Sequence, residues 1–305
     1  MITSPKFSGK LIVIEGPTAS GKTGIAIKLA KQFGAEIISA DSRQFYKEIP
    51  IGTAAPTNNE LNKVVHHFVG TLSVTDDYNV SKFEHDVLNL LNSKLTSCPI
   101  VIMTGGSGLY IDAVCKGIDN LPDIDAKIRR NTVKLFEKDG IVALQEKLMK
   151  LDPEYYQEVD LNNPKRLLRA IEVCLQTGIP YSQLRKNQPQ KRNFDIIKIG
   201  INVPRDVLIE RINNRVDVMM QLGWEKEAKA VYKYKNLNSL NTVGYKELFA
   251  FFENKITFVQ ASEKIKTNTR RYAKRQMTWF RKDKEINWFN YNDVNEMIKF
   301  IKGEL

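Results

Sequence analysis

Cysteine and histidine are scarce in this 305-residue chain, three of each. Cys98, Cys115 and Cys174 stand far apart with no paired spacing. That argues against a disulfide framework or a zinc site, and for reduced packing residues in a cytoplasmic protein. No HExxH occurs, and so few histidines cannot build a histidine-rich metal centre. No apolar run approaches the ~18 residues that span a bilayer, so no membrane role is expected. Met1 to Lys10 carries no apolar signal region, and nothing points to secretion. Repeats and low-complexity tracts are also missing.

Basic charge is in excess. Lys and Arg number 46 against 35 Asp and Glu, a net charge of +11 that suits a polyanionic partner. Its placement says more than its size. Between Lys264 and Lys284 nine basic residues face Asp283 alone, so this one stretch carries +8 of the total.

The hydrophobic pattern predicts an α/β fold. Leu11–Ile14 reads as a buried strand, Gly21–Phe33 as a helix stopped by Gly34, and Glu36–Ser39 as a second strand. This βαβ unit implies a parallel sheet. Phe83, Val87, Leu90 and Leu91 mark another helix. Ile100–Met103 is a further strand, Leu109–Cys115 a helix, and Ile196–Val203 a late core strand. From about Asp119 to Asn193 the character changes to charged helical periodicity, with one helix signed by Asn163 as N-cap, Pro164 at N1 and Gly178 at C′. The expected organisation is therefore a P-loop parallel-sheet core (1–118 and 194–305, with basic C-terminal helices) and a helical insertion domain (119–193).

Gly16-Pro17-Thr18-Ala19-Ser20-Gly21-Lys22-Thr23 matches GxxxxGK[ST], directly after a strand and before a helix. Such a loop turns several backbone N–H groups and a helix dipole onto one anion. Lys22 adds a point charge and Thr23 a hydroxyl for Mg²⁺. A nucleoside triphosphate or any diphosphate fits this motif. Asp41 follows the second strand, on the ligand-binding edge of an open parallel sheet. A carboxylate there can hold Mg²⁺, act as a general base, or simply cap a helix. Gly105-Gly106-Ser107-Gly108 should reach the same crevice and permit close approach of a substrate, or form a plain turn. Leu208, Ile212, Val216 and Met219 form a buried stripe, with Arg211 and Arg215 off it. Either arginine is a surface charge or a partner for a departing diphosphate. In 269–281, bases alternate with aromatics, and Arg270 lies over Lys274 and Arg271 over Arg275. That ridge suits nucleic-acid phosphates.

Taken together these residues resemble the bacterial tRNA dimethylallyltransferases, or tRNA isopentenyltransferases, nearly end to end. The likeness runs through GPTASGKT (16–23), DSRQFYKEIPIGTAAP (41–56), TGGSGLYI (104–111), NPKRLLRAIEV (163–173), RINNRVDVM (211–219), TVGYKEL (242–248) and TRRYAKRQMTWFR (269–281). The resemblance implies transfer of a dimethylallyl group from dimethylallyl diphosphate to N6 of the adenine 3′ of the anticodon, in tRNAs reading U-starting codons, with Mg²⁺. It implies diphosphate binding by Gly16, Pro17, Thr18, Ala19, Ser20, Gly21, Lys22 and Thr23. Catalytic roles fall to Lys22, Thr23, Arg215 and the base Asp41, with Thr23 on the metal. The tRNA anticodon stem-loop would be met by Asp41, Ser42, Arg43, Gln44 and Ser107. Lys165, Arg166, Leu167, Leu168 and Arg169 would join them from the insertion. Asn241, Thr242, Val243, Gly244, Tyr245 and Lys246 would complete the surface with Arg270, Lys274 and Arg275. A cytoplasmic monomer is expected. Glu48-Ile49-Pro50 and Ala55 depart from the family's usual Gly-Met-Asp and lysine. A small-metabolite P-loop kinase or an adenine-nucleotide prenyltransferase would share the loop but not need 264–284. A non-catalytic RNA-binding protein would not need the loop.

Overall fold

The computed structural model describes residues 6–119, 121–186 and 188–305. The chain divides into two compact units, 1–115 with 192–305, and 116–191. The first opens with β1 (Lys10–Glu15), α1 (Lys22–Phe33), β2 (Ile37–Ser39), α2 (Asn58–Leu61), β3 (His66–His67), α3 (Val80–Ser93), β4 (Ile100–Gly105) and α4 (Gly108–Lys116). The second holds α5 (Ala126–Leu151), α6 (Pro153–Glu158), α7 (Pro164–Thr177) and α8 (Tyr181–Leu184). The chain returns through β5 (Asp195–Asn202), α9 (Arg205–Gln221), α10 (Trp224–Val231), α11 (Tyr245–Phe252), α12 (Phe258–Phe280), β6 (Ile286–Asn290) and α13 (Val294–Glu304).

The six strands form one parallel sheet, ordered β3-β2-β4-β1-β5-β6. Central strands of such a sheet are covered on both faces, which is why β1 reads as an unbroken apolar run. Leu11 and Val13 pack with α3 and α4, and Ile12 and Ile14 with α1 and α13. All four are fully buried, each contributing about 1.5–3 kcal/mol. Parallel strands send their C-terminal ends to the same edge. Glu15 of β1, Ser39 of β2, Gly105 of β4 and Asn202 of β5 therefore deliver the segments that follow them to one crevice.

Charge hides β6 from the sequence pattern: it lies between Glu285 and the polar turn at Asn290, with only Ile286 fully inside. It pairs in parallel with β5 from Lys198 to Asn202, and just before it Asp283 and Glu285 accept from Lys198, a buried cation of β5, at 2.7 and 2.6 Å. The second unit builds its own small core from Leu144, Leu148, Tyr155, Val159, Leu167, Ala170 and Ile171. Its α5 is interrupted at Gly140, where φ is 73°. Asn163 caps α7 by accepting from the Arg166 N–H, Pro164 opens it and Gly178 closes it at φ 70°. No helix among the described residues is long and apolar enough to cross a membrane.

Candidate active site

The loop between β1 and α1 is tightly self-bonded. Ser20 N–H donates to the Pro17 carbonyl at 3.2 Å, and Lys22 Nζ donates to the carbonyls of Gly16 at 2.8 Å and Pro17 at 2.7 Å. Ala19 (φ 64°) and Gly21 (φ 89°) take the left-handed conformation that curls the chain. Gly21 is the N-cap of α1 and no side chain caps the helix, so its first N–H groups remain available to an anion. Thr18 N–H donates to Gln276 Oε1 at 2.8 Å, which ties the loop to α12.

Asp41 lines the same cleft. Its Oδ1 accepts from Arg43 N–H at 3.0 Å, holding the turn that leaves β2. Ser107 Oγ braces the same turn through Ser42 N–H at 3.0 Å. Burial raises the Asp41 pKa, against the pull of Arg43 N–H and of the nearby Lys22 and Arg43 charges. Burial lowers Lys22 to about 7, with Asp41 opposing the fall and Arg215 adding to it. Arg215 is also lowered, by burial first, and feels Asp41. Lys22, Asp41 and Arg215 thus form one electrostatically linked group.

These side chains line a cavity of about 700 Å³. Its polar wall is the phosphate loop with Asp41 and Gly106; Ile51, Met219, Leu222, Trp224 and Val243 supply apolar surface. One carboxylate fastens the flanking loop: Glu227 accepts from Ile51 N–H at 2.7 Å, Gly52 N–H at 2.8 Å and Tyr245 Oη at 2.6 Å. Gly52 has to be glycine, because a Cβ there would lie 2.1 Å from Trp224 Nε1. Gln44 completes the fastening by donating to the carbonyls of Thr53 and Ala54 at 3.3 and 3.1 Å.

Helix α12 presents two faces. Thr269, Tyr272 and Gln276 look into this cavity. Arg270, Arg271, Lys274, Met277 and Arg281 line a second cavity of about 540 Å³, with Pro17 and α9 residues on its other side. Arg270 is held there by Asn213 Oδ1 and Thr267 Oγ1, each at 2.9 Å. The sequence-expected ridge is therefore a wall shared by two cavities, and Arg270 and Lys274 belong to the one away from Asp41. Arg275 is exposed, its guanidinium 5.7 Å from the Tyr272 ring centroid.

Several expectations change. Leu167 is fully buried and Leu168 packs against the same core, so neither side chain is displayed to a nucleic acid. Lys165 and Arg166 are exposed on α7 and Arg169 is half-buried. Tyr245 is likewise fully buried, acting through Glu227 and not on a ligand. Gly244, at φ 96°, is packed against Trp224, where a Cβ would lie 1.9 Å from the indole. Asn241 and Lys246 are exposed, and Thr242 and Val243 line the cavity. The glycine run at the end of β4 does reach the crevice, where Gly105 and Gly106 line the cavity, and its lack of side chains also makes room for protein groups: Cβ atoms at Gly105, Gly106 and Gly108 would meet the Ala40 carbonyl, Gln276 and Trp279 within 2.2–2.3 Å. Glu48, at a departure from the family pattern, accepts from Ser73 Oγ at 2.7 Å and Val74 N–H at 2.9 Å, and Ile49 beside it is buried. Pro50 and Ala55 line the cavity. Glu227, Trp224 and Gln276 escaped sequence reasoning. Only Gln276 left a signal: a polar residue four positions after Tyr272 and four before Phe280, on the inward face of its helix.

A phosphate loop on a parallel sheet, with a lysine, an arginine and a raised-pKa carboxylate converging on one cavity, defines a P-loop transferase. The sequence profile of the IPP transferase family matches residues 44–283. The chain is 54% identical over 286 residues to tRNA dimethylallyltransferase 2 of Azobacteroides pseudotrichonymphae, covering 94% of this chain and 93% of that one. It is 49% identical over 295 residues to tRNA dimethylallyltransferase 2 of Parabacteroides distasonis, covering 97% and 99%. Among solved structures, the tRNA isopentenylpyrophosphate transferase of Bacillus halodurans superposes with a TM-score of 0.71 at 35% identity, over 97% of this chain and 96% of that one. A eukaryotic dimethylallyltransferase captured acting on tRNA gives 0.75 at 27% identity, over 94% and 75%. The chain belongs to the IPP transferase family, the tRNA dimethylallyltransferases.

Proposed function

We propose that this protein transfers a dimethylallyl group from dimethylallyl diphosphate to N6 of the adenine 3′ of the anticodon, in tRNAs that read U-starting codons. The observation that carries the reading is the single cavity in which Lys22 and Arg215 face Asp41, with apolar surface beside them. An exocyclic amine is a weak nucleophile, so the reaction depends on stabilising the leaving group. As the C1–O bond breaks, its electron pair departs on the diphosphate oxygen. The α1 N–H groups, Lys22 and Arg215 stabilise the charge that grows there. The N6 lone pair forms the new bond to C1, and the proton it releases passes to Asp41. The raised pKa of Asp41 suits a group that receives this proton late. The apolar residues Ile51, Met219, Leu222 and Trp224 offer surface for the five-carbon tail.

No cluster of three or more His, Cys, Asp or Glu side chains able to hold a metal occurs among the described residues. Mg²⁺ carried largely by a diphosphate and water asks the protein for only one or two oxygen ligands. Thr23 and Asp41, which line the same cavity, could each offer one such ligand. When bound, Mg²⁺ would supply further positive charge at the leaving diphosphate. In this reading the substrate tRNA meets the turn at 41–44, the edge at 241–246 and the basic groups of α12. Lys165, Arg166 and Arg169 of the second unit clamp the anticodon stem. The enzyme works as a cytoplasmic monomer.

Two variants test the division of labour. Lys22→Ala should weaken dimethylallyl diphosphate binding and slow turnover by ~10²-fold or more, the loss of one preorganised electrostatic donor. Asp41→Asn should leave both substrates bound and cut single-turnover transfer by ~10²–10⁴-fold. Normal single-turnover chemistry in Asp41→Asn at saturating substrates would remove Asp41 from the mechanism.

A further inference from the structure

Arg211 lies on α9 one turn before Arg215, and neither lined cavity accounts for it. Its guanidinium carbon sits 4.1 Å from the centroid of the Tyr291 ring. One terminal nitrogen is 3.9 Å from where a Cβ on Gly21 would lie, against the loop residue that caps α1. Among the described residues no carboxylate or other acceptor takes its N–H groups. Arg215 has its pKa lowered by burial first, with Asp41 and Glu60 opposing and the charge of Arg211 adding a smaller push downward. Two guanidinium groups beside the positive end of a helix make a position that favours an anion. Stacking on a ring face holds a guanidinium through its plane and leaves all its edge donors free. The backbone there is fixed by Tyr291 N–H donating to the Asn202 carbonyl at 3.1 Å at the end of β5, and the side chain packs against the core that includes α1.

We propose that Tyr291 is a positioning residue: it holds Arg211 against the outer flank of the phosphate loop as a further cation for the diphosphate of the donor. The residue lies beyond the 44–283 stretch that the family profile matches. The proposal rests on the reading that the loop takes a diphosphate. It makes Arg211 complementary to Lys22 and Arg215, which approach from inside the cavity.

The test measures inorganic diphosphate affinity by calorimetry, together with KM and kcat for dimethylallyl diphosphate. Tyr291→Leu should raise the diphosphate Kd and the donor KM about 5- to 10-fold with kcat little changed. Tyr291→Phe keeps the ring and should restore both. Arg211→Leu should match Tyr291→Leu, and the double variant should lose no more than either alone, because both remove one interaction. Wild-type affinity in a Tyr291→Leu protein with an unaltered melting curve overturns the proposal, as does Tyr291→Phe failing equally. Should Tyr291→Leu not fold, Arg211→Lys carries the test: it keeps the charge and loses the planar stack, and unaltered affinity there overturns it. Lys22→Ala separates the two levels. Unchanged diphosphate affinity in Lys22→Ala defeats the diphosphate reading itself, whereas weakening in Lys22→Ala without weakening in Tyr291→Leu defeats only the role of Tyr291.

Discussion

Lys22 is half-buried in the cleft, and its desolvation there pulls its pKa down to about 7 despite the attraction of Asp41. A lysine with a lowered pKa is charged below that value and largely neutral above it. A bound diphosphate favours the charged form, so binding above pH 7 should draw a proton onto Lys22. Titrating dimethylallyl diphosphate into metal-free protein at pH 8, in buffers of different ionisation enthalpy, should therefore show uptake of most of one proton per binding event. The uptake should shrink toward pH 6, where Lys22 already carries its charge. Binding at pH 8 with no proton uptake would show that Lys22 is charged in the free protein. The glycine-rich loop that places this lysine was legible because all of its determinants lie within eight consecutive residues. Asp41 was legible for a related reason, standing just past a short apolar strand. Glu227 was not: its work is to hold Ile51 and Gly52, about 175 positions away in the chain, and no local pattern encodes that contact.

At the scale of elements, α12 shows how far periodicity reaches. The spacing of its basic residues correctly indicated a helix with a charged side, and Thr257 with Gln260 forms the capping box that starts it. It did not reveal that Thr269, Tyr272 and Gln276 close the reaction cavity while Arg270 and Lys274 border another. The division depends on which elements pack on each side, chiefly the phosphate loop and α9. If the second face meets the tRNA backbone, reversing charge at Arg270 and Lys274 should weaken tRNA binding and lower the slope of log K against log salt. Each lost phosphate contact is worth roughly 0.7 to 0.9 in that slope. Dimethylallyl diphosphate binding should stay close to wild type, since Lys22 and Arg215 are untouched. A folded double variant with wild-type tRNA affinity and salt slope would make this face an ordinary solvated one. Strands β3 and β6 were the elements least visible in the sequence. The first is two residues long, and the second pairs with β5 along its backbone but has only Ile286 buried, so it carries no apolar run.

For the whole molecule, the apolar β1, β2, β4 and β5 runs sufficed to call a parallel α/β core, because strands buried on both faces leave an unbroken hydrophobic signature. The charged helices of 116–191 offered only their periodicity and caps. In the proposed reading the protein brings a leaving-group cradle, a base and a basic surface into one chain, and only a polyanionic acceptor calls on all three. The decisive measurement is therefore the fate of labelled dimethylallyl diphosphate incubated with the protein, Mg²⁺ and either unmodified tRNA or AMP. Label should enter tRNA at the adenine 3′ of the anticodon, with diphosphate released in equal amount, and AMP should gain none. Label in AMP, or no transfer to tRNA while ATP is turned over with a small acceptor, would contradict the account.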